Sequence, residues 1–281
     1  MIAAFGRRRE GLFAECGCRW VDTMYRSLPT ERVSVVIAVR DDSRYLERCL
    51  DALAMQTYAP YEIIVVDNDS TDGSAELAAR HGARVVREAE IGVPAASATG
   101  YDAARGDLIA RLDADSIPGV TWVASVCDSL AYYTHAAAVT GSGMQMEDNG
   151  RPHRRSSRLF MHAYFSLVGL ALGHPPLWGS ALAMRREAWQ QVRLDVCRHN
   201  ALVHDDIDLS VHLGPEHRIV FDRTLSVAIS ARPLAFDRAA LARFGHGFYT
   251  ILRHWPQEFP SLRVLRRARA ARELAAVPVL V

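Results

Sequence analysis

The chain has 281 residues, 49% of them apolar, and its 33 Lys and Arg nearly balance 32 Asp and Glu for a net charge of +1. That length fits one large domain or one domain with appendages, the apolar share supplies a sizeable core, and the charge balance excludes a dedicated nucleic-acid binder. Five cysteines (Cys16, Cys18, Cys49, Cys127 and Cys197) follow no recurring metal-ligand spacing, and Cys16-Gly-Cys18 lacks a second pair. Such scattered thiols suit a reducing cytoplasm. The apolar part of "MIAAFGRRREGLF" precedes its arginines and is too short for a secretory signal. A cytoplasmic protein is the expectation.

Residues 1–31 read as an N-terminal extension of helical or irregular character, carrying Arg7, Arg8 and Arg9. "RVSVVIAV" (32–39) is short, β-branched and apolar, as a buried parallel strand should be. "SRYLERCLDALAMQT" follows with Leu46, Leu50 and Leu53 at helical spacing. "YEIIVVDNDS" predicts a second strand breaking into an Asx/Ser turn. "STDGSAELAARHG" predicts a helix ended by Gly82, and "ARVVRE" a third strand. "IGVPAASATGYDAARG" predicts a helix and "DLIARLDAD" a fourth strand. This cadence implies an α/β, Rossmann-like architecture, with a mostly parallel sheet flanked by helices.

Beyond Gly119 the pattern loosens. "TWVASVCDSLAYY" predicts a helix and "HAAAVTGSGMQM" a strand. Residues 159–184 carry no formal charge, yet a spanning helix needs about 20 apolar residues in a row. His174-Pro175-Pro176 breaks this stretch near its middle, and His162 and Ser166 interrupt its first half. The expectation is a buried or membrane-facing helix, a turn, and a strand entering "MRREAW". Residues 32–235 then form the main domain, with halves 32–119 and 120–235. Residues 236–281 form a basic helical C-terminal segment. In that segment Leu262, Leu265 and Ala268 share one helical side among Arg263, Arg266, Arg267, Arg269 and Arg272. The pattern fits an interfacial helix on an anionic membrane surface, or equally a helix docked on its own domain.

Ligands of parallel α/β sheets bind beyond the carboxyl ends of the strands, and three acidic clusters fall there. Asp41 and Asp42 follow the first strand, Asp67, Asn68 and Asp69 the second, and Asp113 and Asp115 the fourth. Any one of them could cap a helix. Three facing one crevice would repel, and a divalent cation or ligand donors would relieve that repulsion. Asp113 and Asp115, two apart at a strand end, can serve one site together. Hard oxygen donors of this kind suit Mg²⁺ or Mn²⁺ shared with substrate phosphates.

With those motifs in view, "VSVVIAVRDDSRYLERCLDALAMQTYAPYEIIVVDNDSTDGS" and "GVPAASATGYDAARGDLIARLDADS" resemble the nucleotide-sugar half of family 2 glycosyltransferases with the GT-A fold. The likeness covers about residues 32–119, with several motifs in family order and spacing. More weakly, "GSALAMRREAW" resembles the acceptor-side strand and turn, and "HDDIDLSVHL" the acidic motif that carries the base. The resemblance implies that Ala38, Arg40, Asp41 and Asp42 contact the donor nucleotide and that Asn68, preceded by Asp67, stands where the base is often bonded. It implies that Asp113 and Ala114 lie against ribose or sugar, Asp115 and Asp113 hold the metal, and Asp206, beside Asp205, is the catalytic base. Trp178, Gly179 and Ser180 fall on the acceptor side. The implied reaction is inverting transfer from a UDP-, GDP- or dTDP-type sugar to a hydroxyl acceptor, with a cell-envelope or lipid-linked acceptor at the cytoplasmic membrane face.

The sequence departs from the family at Ala38 (usually Pro), Arg40-Asp41 (usually Tyr-Asn), Asn68 (commonly Asp), and Ser97-Ala98 (often Arg and Asn). These changes bear on the identity of the base more than on the reaction. The missing Gln-x-x-Arg-Trp motif argues against a processive polysaccharide synthase. Two rivals stand beside this reading. A sugar nucleotidyltransferase would show a Gly-rich basic loop after the first strand, which "VRDDSRYLE" does not have. A non-catalytic binding or scaffold relative is motivated by Arg40, Asn68 and Ser97. His199, His204, His212 and His217 are expected at the surface or in the core, although one could complete a metal shell.

Overall fold

The computed structural model describes residues 30–146, 151–230 and 238–255, the last stretch in side-chain detail from residue 245. The N-terminal arginines, Cys16, Cys18 and the arginine-rich stretch 263–272 lie outside the described residues. All elements below belong to the compact unit that begins at Glu31.

Strand β1 (Val33–Val39) has six of its seven residues buried, as expected of a β-branched run covered on both faces. Helix α1 (Ser43–Ala54) buries Leu46, Cys49, Leu50 and Leu53, one helical stripe. There follow β2 (Glu62–Asp67), α2 (Ser74–Arg80), β3 (Arg84–Arg87), α3 (Val93–Ala103) and β4 (Leu108–Asp113). Gly82, at φ +76°, occupies the left-handed region just past α2. Then come α4 (Trp122–Tyr132), β5 (Ala136–Thr140), β6 (Gly143–Met146), α5 (Arg154–Leu172), β7 (Leu182–Arg185), α6 (Arg186–Val192), α7 (Asp205–Leu213), β8 (Arg218–Phe221), β9 (Val227–Ser230) and α8 (Arg238–His254).

The main sheet has the order β3-β2-β1-β4-β7-β5-β8. β1 pairs in parallel with β2 and β4, placing Ala38 opposite Val66 on one side and Asp113 on the other. Only β7 runs against its neighbours, between β4 and β5. Side chains alternate between two apolar layers. Val33, Val35 and Ile37 pack with Leu46, Leu50, Val123 and Leu130 on one face. Val36, Ile64 and Val66 pack with Ala96, Tyr101, Trp189 and Leu209 on the other. The parallel strands thus bring the turns after β1, β2 and β4 to one edge of the molecule.

"HAAAVTGSGMQM", expected as one strand, is two. The chain turns at Gly141-Ser142, so β5 stays in the main sheet while β6 pairs with β9 in a second, two-stranded sheet. A Cβ on Gly141 would lie 2.3 Å from the carbonyl oxygen of Leu225, so the backbones approach there as only glycine permits. The uncharged stretch follows the expected helix, turn and strand. α5 ends at Gly173 (φ +72°), His174-Pro175-Pro176 forms the turn, and β7 enters the sheet. No helix among the described residues is long and apolar enough to cross a membrane.

Helix α3 lies so close to β1 and β2 that a Cβ on Gly100 would come within 2.3 Å of Val36 Cγ1 and 2.9 Å of Val66 Cγ2. Both obstacles are buried and stiff at χ1. Gly100→Ala should therefore destabilise the protein by about 1–3 kcal/mol through overpacking. A denaturant midpoint equal to wild type would show that the helix yields instead.

Candidate active site

A cavity of about 690 Å³ opens at the carboxyl edge of β1 and β4, within the size range of small-molecule sites. Its polar floor is Arg111, Asp113, Asp115, Asp205 and Asp206. Arg111 is the organising group. It precedes Asp113 by two residues on β4 and so shares its face, and only 4% of it is exposed. Its Nη2 donates to Asp113 Oδ1 at 3.0 Å, and its Nη1 donates to Asp205 Oδ2. A buried guanidinium is tolerable only when paired. Burial would lower its pKa, but Asp205 and Asp113 oppose that and keep it charged.

The other atoms around it are equally fixed. Ser180 Oγ donates to Asp113 Oδ2 at 2.6 Å, and the Gly179 amide donates to Asp206 Oδ2 at 2.9 Å. The Gly179 stretch is itself anchored. Leu177 N donates to Ser210 Oγ at 2.8 Å, Trp178 N to Thr140 Oγ1 at 3.0 Å, and Tyr164 Oη to the Leu177 carbonyl at 2.9 Å. Asp115 Oδ2 accepts from Ser230 Oγ on β9. The two small segments around Gly179 and Ser230 thus hold the β4 acids in place.

Asp205 and Asp206 open α7, and their surroundings drive their ionisation apart. Burial is the largest influence on both and pushes each carboxyl up. For Asp206 the adjoining His204 imidazole, Arg111 and the Gly179 amide outweigh it, leaving the pKa below the ordinary value. For Asp205 the favourable Arg111 charge does not overcome burial and the charge of Asp206, and its pKa is raised. His204 contacts Asp206 Oδ1. Burial acts to lower its pKa, but the two carboxylates prevail and bring it up to about 9. Its backbone amide donates to Thr250 Oγ1 of α8 at 2.7 Å.

Not every anticipated residue faces this cavity. Ala38, Arg40, Asp42, Ala114, Trp178, Gly179 and Ser180 line it together with the four acids above, whereas Asp41, Asp67 and Asn68 do not. Asp41, at φ +49°, accepts from Thr71 N at 2.7 Å and tethers the β1 turn to the β2 turn. Asp67 accepts from Ser70 N at 3.1 Å, closing the turn after β2. Buried Asn68 donates to the carbonyls of Glu88 and Glu90, at 2.9 and 2.7 Å, and accepts from Gly92 N at 2.8 Å. Its amide braces the loop into α3. Of the three acidic clusters, the first and third reach the crevice and the second supports its rim.

Arg111 carries no weight in a reading of the acids alone. Its signal was nonetheless present: a full charge inside the apolar strand "DLIARLDAD" requires a buried counter-charge. Phe160, Tyr164 and Leu167 of α5 and Phe248 and Ile251 of α8 form an apolar wall opposite the acids. Trp178 packs edge-on against Tyr164 and Phe160, with ring centroids 4.9 and 6.0 Å apart.

Asp113 and Asp115 offer the hard oxygen donors that Mg²⁺ or Mn²⁺ takes. Asp113 keeps 39% of its side chain exposed to the cavity. The donor chemistry fits such an ion.

Comparison with known proteins identifies the family to which this fold belongs. The family model for "Glycosyl transferase family 2" matches residues 34–193, more than half of the chain. The chain belongs to glycosyl transferase family 2. It is similar to the glycosyltransferase AglE of Haloferax volcanii, with 34% identity over 99 residues, 32% of this chain and 33% of that protein. The matches to the next two curated relatives span 17% and 27% of their lengths. Among solved structures, the mannosyltransferase PcManGT of Pyrobaculum calidifontis, in complex with GDP-Man and Mn²⁺, aligns with TM-score 0.59 and 20% identity over 90% of this chain and 78% of that one. The glucosyl-3-phosphoglycerate synthase of Mycobacterium tuberculosis, in complex with Mn²⁺ and UDP, aligns with TM-score 0.54 and 21% identity over 79% and 78%. These likenesses identify the GT-A fold.

Two outcomes follow from this geometry. A Cβ on Gly179 would sit 2.9 Å from Arg111 Cζ, so Gly179→Ala should push the guanidinium off Asp113 or Asp205. It should destabilise the protein by about 1–3 kcal/mol, seen as a lower denaturant midpoint; a midpoint unchanged from wild type would mean the pair adapts. The His204 pKa is raised on folding, so its stabilisation is complete below the unfolded value of about 6.5 and is lost as pH rises through about 9. The melting-temperature gap between wild type and His204→Gln should therefore be full near pH 6 and narrow through pH 9. A gap that widens with pH would contradict the ion pair.

Proposed function

We propose that this chain is an inverting, metal-dependent glycosyltransferase that moves a sugar from a nucleoside-diphosphate sugar to a hydroxyl acceptor. The observation that carries the proposal is the meeting of Asp113 and Asp115 with Asp205 and Asp206 in one cavity, around one buried arginine. In this reading Ala38, Arg40, Asp42 and Ala114 line the donor side, the turns braced by Asp41, Asp67 and Asn68 shape its rim, and Asp115 with Asp113 would hold Mg²⁺ or Mn²⁺. When bound, the ion supplies positive charge against that growing on the departing diphosphate.

The protein residues do the rest. Asp206, the member of the acidic pair whose pKa lies below the ordinary value, takes the proton of the acceptor hydroxyl as its oxygen attacks the anomeric carbon. The bond from that carbon to the diphosphate oxygen breaks on the opposite face, so configuration inverts and no covalent enzyme intermediate is needed. His204, charged at neutral pH, keeps Asp206 ionised before the transfer. Arg111 fixes Asp113 and Asp205 and balances part of the negative charge.

The acceptor side supports a lipid-bearing or cell-envelope acceptor. Phe160, Tyr164, Leu167, Phe248 and Ile251 make an apolar entrance, and Leu159, Leu167 and Leu170 of α5 stand 72%, 69% and 78% exposed beside it. Arg154, Arg155 and Arg158 open the same helix, a combination that suits an anionic membrane surface. The chain would then work as a peripheral protein on the cytoplasmic face.

Two measurements test this. A melting-temperature screen of UDP, GDP and dTDP with and without Mn²⁺ should give one nucleotide whose stabilisation needs the ion, and Asp115→Ala should abolish that dependence. With the matching sugar donor, Asp206→Asn should lower kcat by roughly 10²–10⁴-fold while leaving the nucleotide shift intact. Background turnover in wild type and both variants alike would favour the binding-protein reading.

A further inference from the structure

The geometry points to a second metal site, of the Zn²⁺ class, formed by Asp208, His212 and His254 on the flank of the cavity. Asp208 lies two residues beyond Asp206 on α7, roughly 200° round the helix and so on the side away from that carboxylate. It is 1% exposed. His212 follows one turn later on the same face, and His254 arrives from the end of α8.

The three side chains aim one ligand atom each at a common point. Asp208 Oδ1 is 2.8 Å from His254 Nε2 and 3.7 Å from His212 Nε2. All three ligand atoms lie within 4.8 Å of one another. A tetrahedral zinc ion with bonds of about 2.0–2.1 Å sets its ligand atoms about 3.3–3.4 Å apart, so the two measured edges bracket the required one. The second carboxylate oxygen accepts from Cys197 N at 2.7 Å, the kind of outer contact that orients a metal-binding carboxylate.

Hydrogen bonding alone does not account for the cluster. His254 can donate to Asp208, but His212 Nε2 is buried with no hydrogen-bond partner, and 3.7 Å is too long for one. A cation between the three atoms would satisfy His212 as well. The donor set also bears on the ion. Two imidazoles and one carboxylate, with a fourth position for water, suit a tetrahedral Zn²⁺, whereas the all-carboxylate pair at Asp113 and Asp115 suits Mg²⁺ or Mn²⁺. The two sites would not compete for one metal. An ion here would clip α7 to α8, whose Gly247, Phe248 and Ile251 wall the cavity.

The test uses the full chain stripped with a chelator and titrated with Zn²⁺, then with Co²⁺ as a spectroscopic substitute. Wild type should bind one Zn²⁺ at this site and give the visible bands of four-coordinate Co²⁺. Asp115→Asn should retain both. His254→Ala and His212→Gln should each lower Zn²⁺ affinity by more than the roughly 10–100-fold that loss of an outer-shell partner costs, and each should erase the Co²⁺ bands. His212→Gln removes only the long ion pair with Asp208 (3.7 Å) and no short hydrogen bond, so a cooperative metal-free melting transition recorded beside the titration separates loss of metal from loss of fold. Zn²⁺ affinity unchanged in both histidine variants, binding lost only in Asp115→Asn, or no Zn²⁺ uptake by wild type would each overturn the assignment.

Discussion

One buried cation organises the centre of this molecule. Arg111 sits under the crevice with almost no access to water, so the fold must supply negative partners from within. It does so from two places far apart in the chain, Asp113 at the end of the same strand and Asp205 at the start of α7. Each contact fixes a carboxylate that otherwise would repel its neighbours. Gly179 must lack a side chain for the guanidinium to fit, and its amide in turn steadies Asp206. The arginine therefore links the strand that ends in Asp113 to the helix that begins with the acidic pair, and the cavity takes its shape from that link.

The two sides of the crevice are built differently. On one side, strands β1, β2 and β4 deliver their ends in register, and hydrogen bonds accepted by Asp41 and Asp67 hold the intervening turns. That side is mostly backbone and polar clamps. The other side is two helices, α5 and α8, contributing aromatic and aliphatic side chains. Side chains on such helices can change without disturbing a sheet, whereas the strand ends opposite are held by backbone pairing.

Much of residues 32–119 was legible in the chain because periodicity reports burial directly. The β-branched runs, the Leu46-Leu50-Leu53 stripe and Gly82 past α2 each have one local cause. The acidic clusters at strand ends were legible for the same reason, since topology alone puts them on one edge. What escaped was tertiary. Asn68 lies beside acids in the sequence, yet its amide is engaged by the loop at 88–92, which no spacing rule announces. The break at Gly141-Ser142 depends on a close backbone approach to Leu225. The roles of Arg111 and His204 depend on partners tens of residues away or on neighbours whose ionisation only the folded environment sets.

The single reversed strand has a consequence for how such a protein is made. β1 through β4 connect by local crossovers, but β7 inserts between β4 and β5 from more than sixty residues downstream of β4. Until it does, a nascent chain holds Arg111 without Asp205, an internal charge lacking one of its two counter-ions. The second of those counter-ions, Asp205, reaches Arg111 only after the α7 segment has left the ribosome.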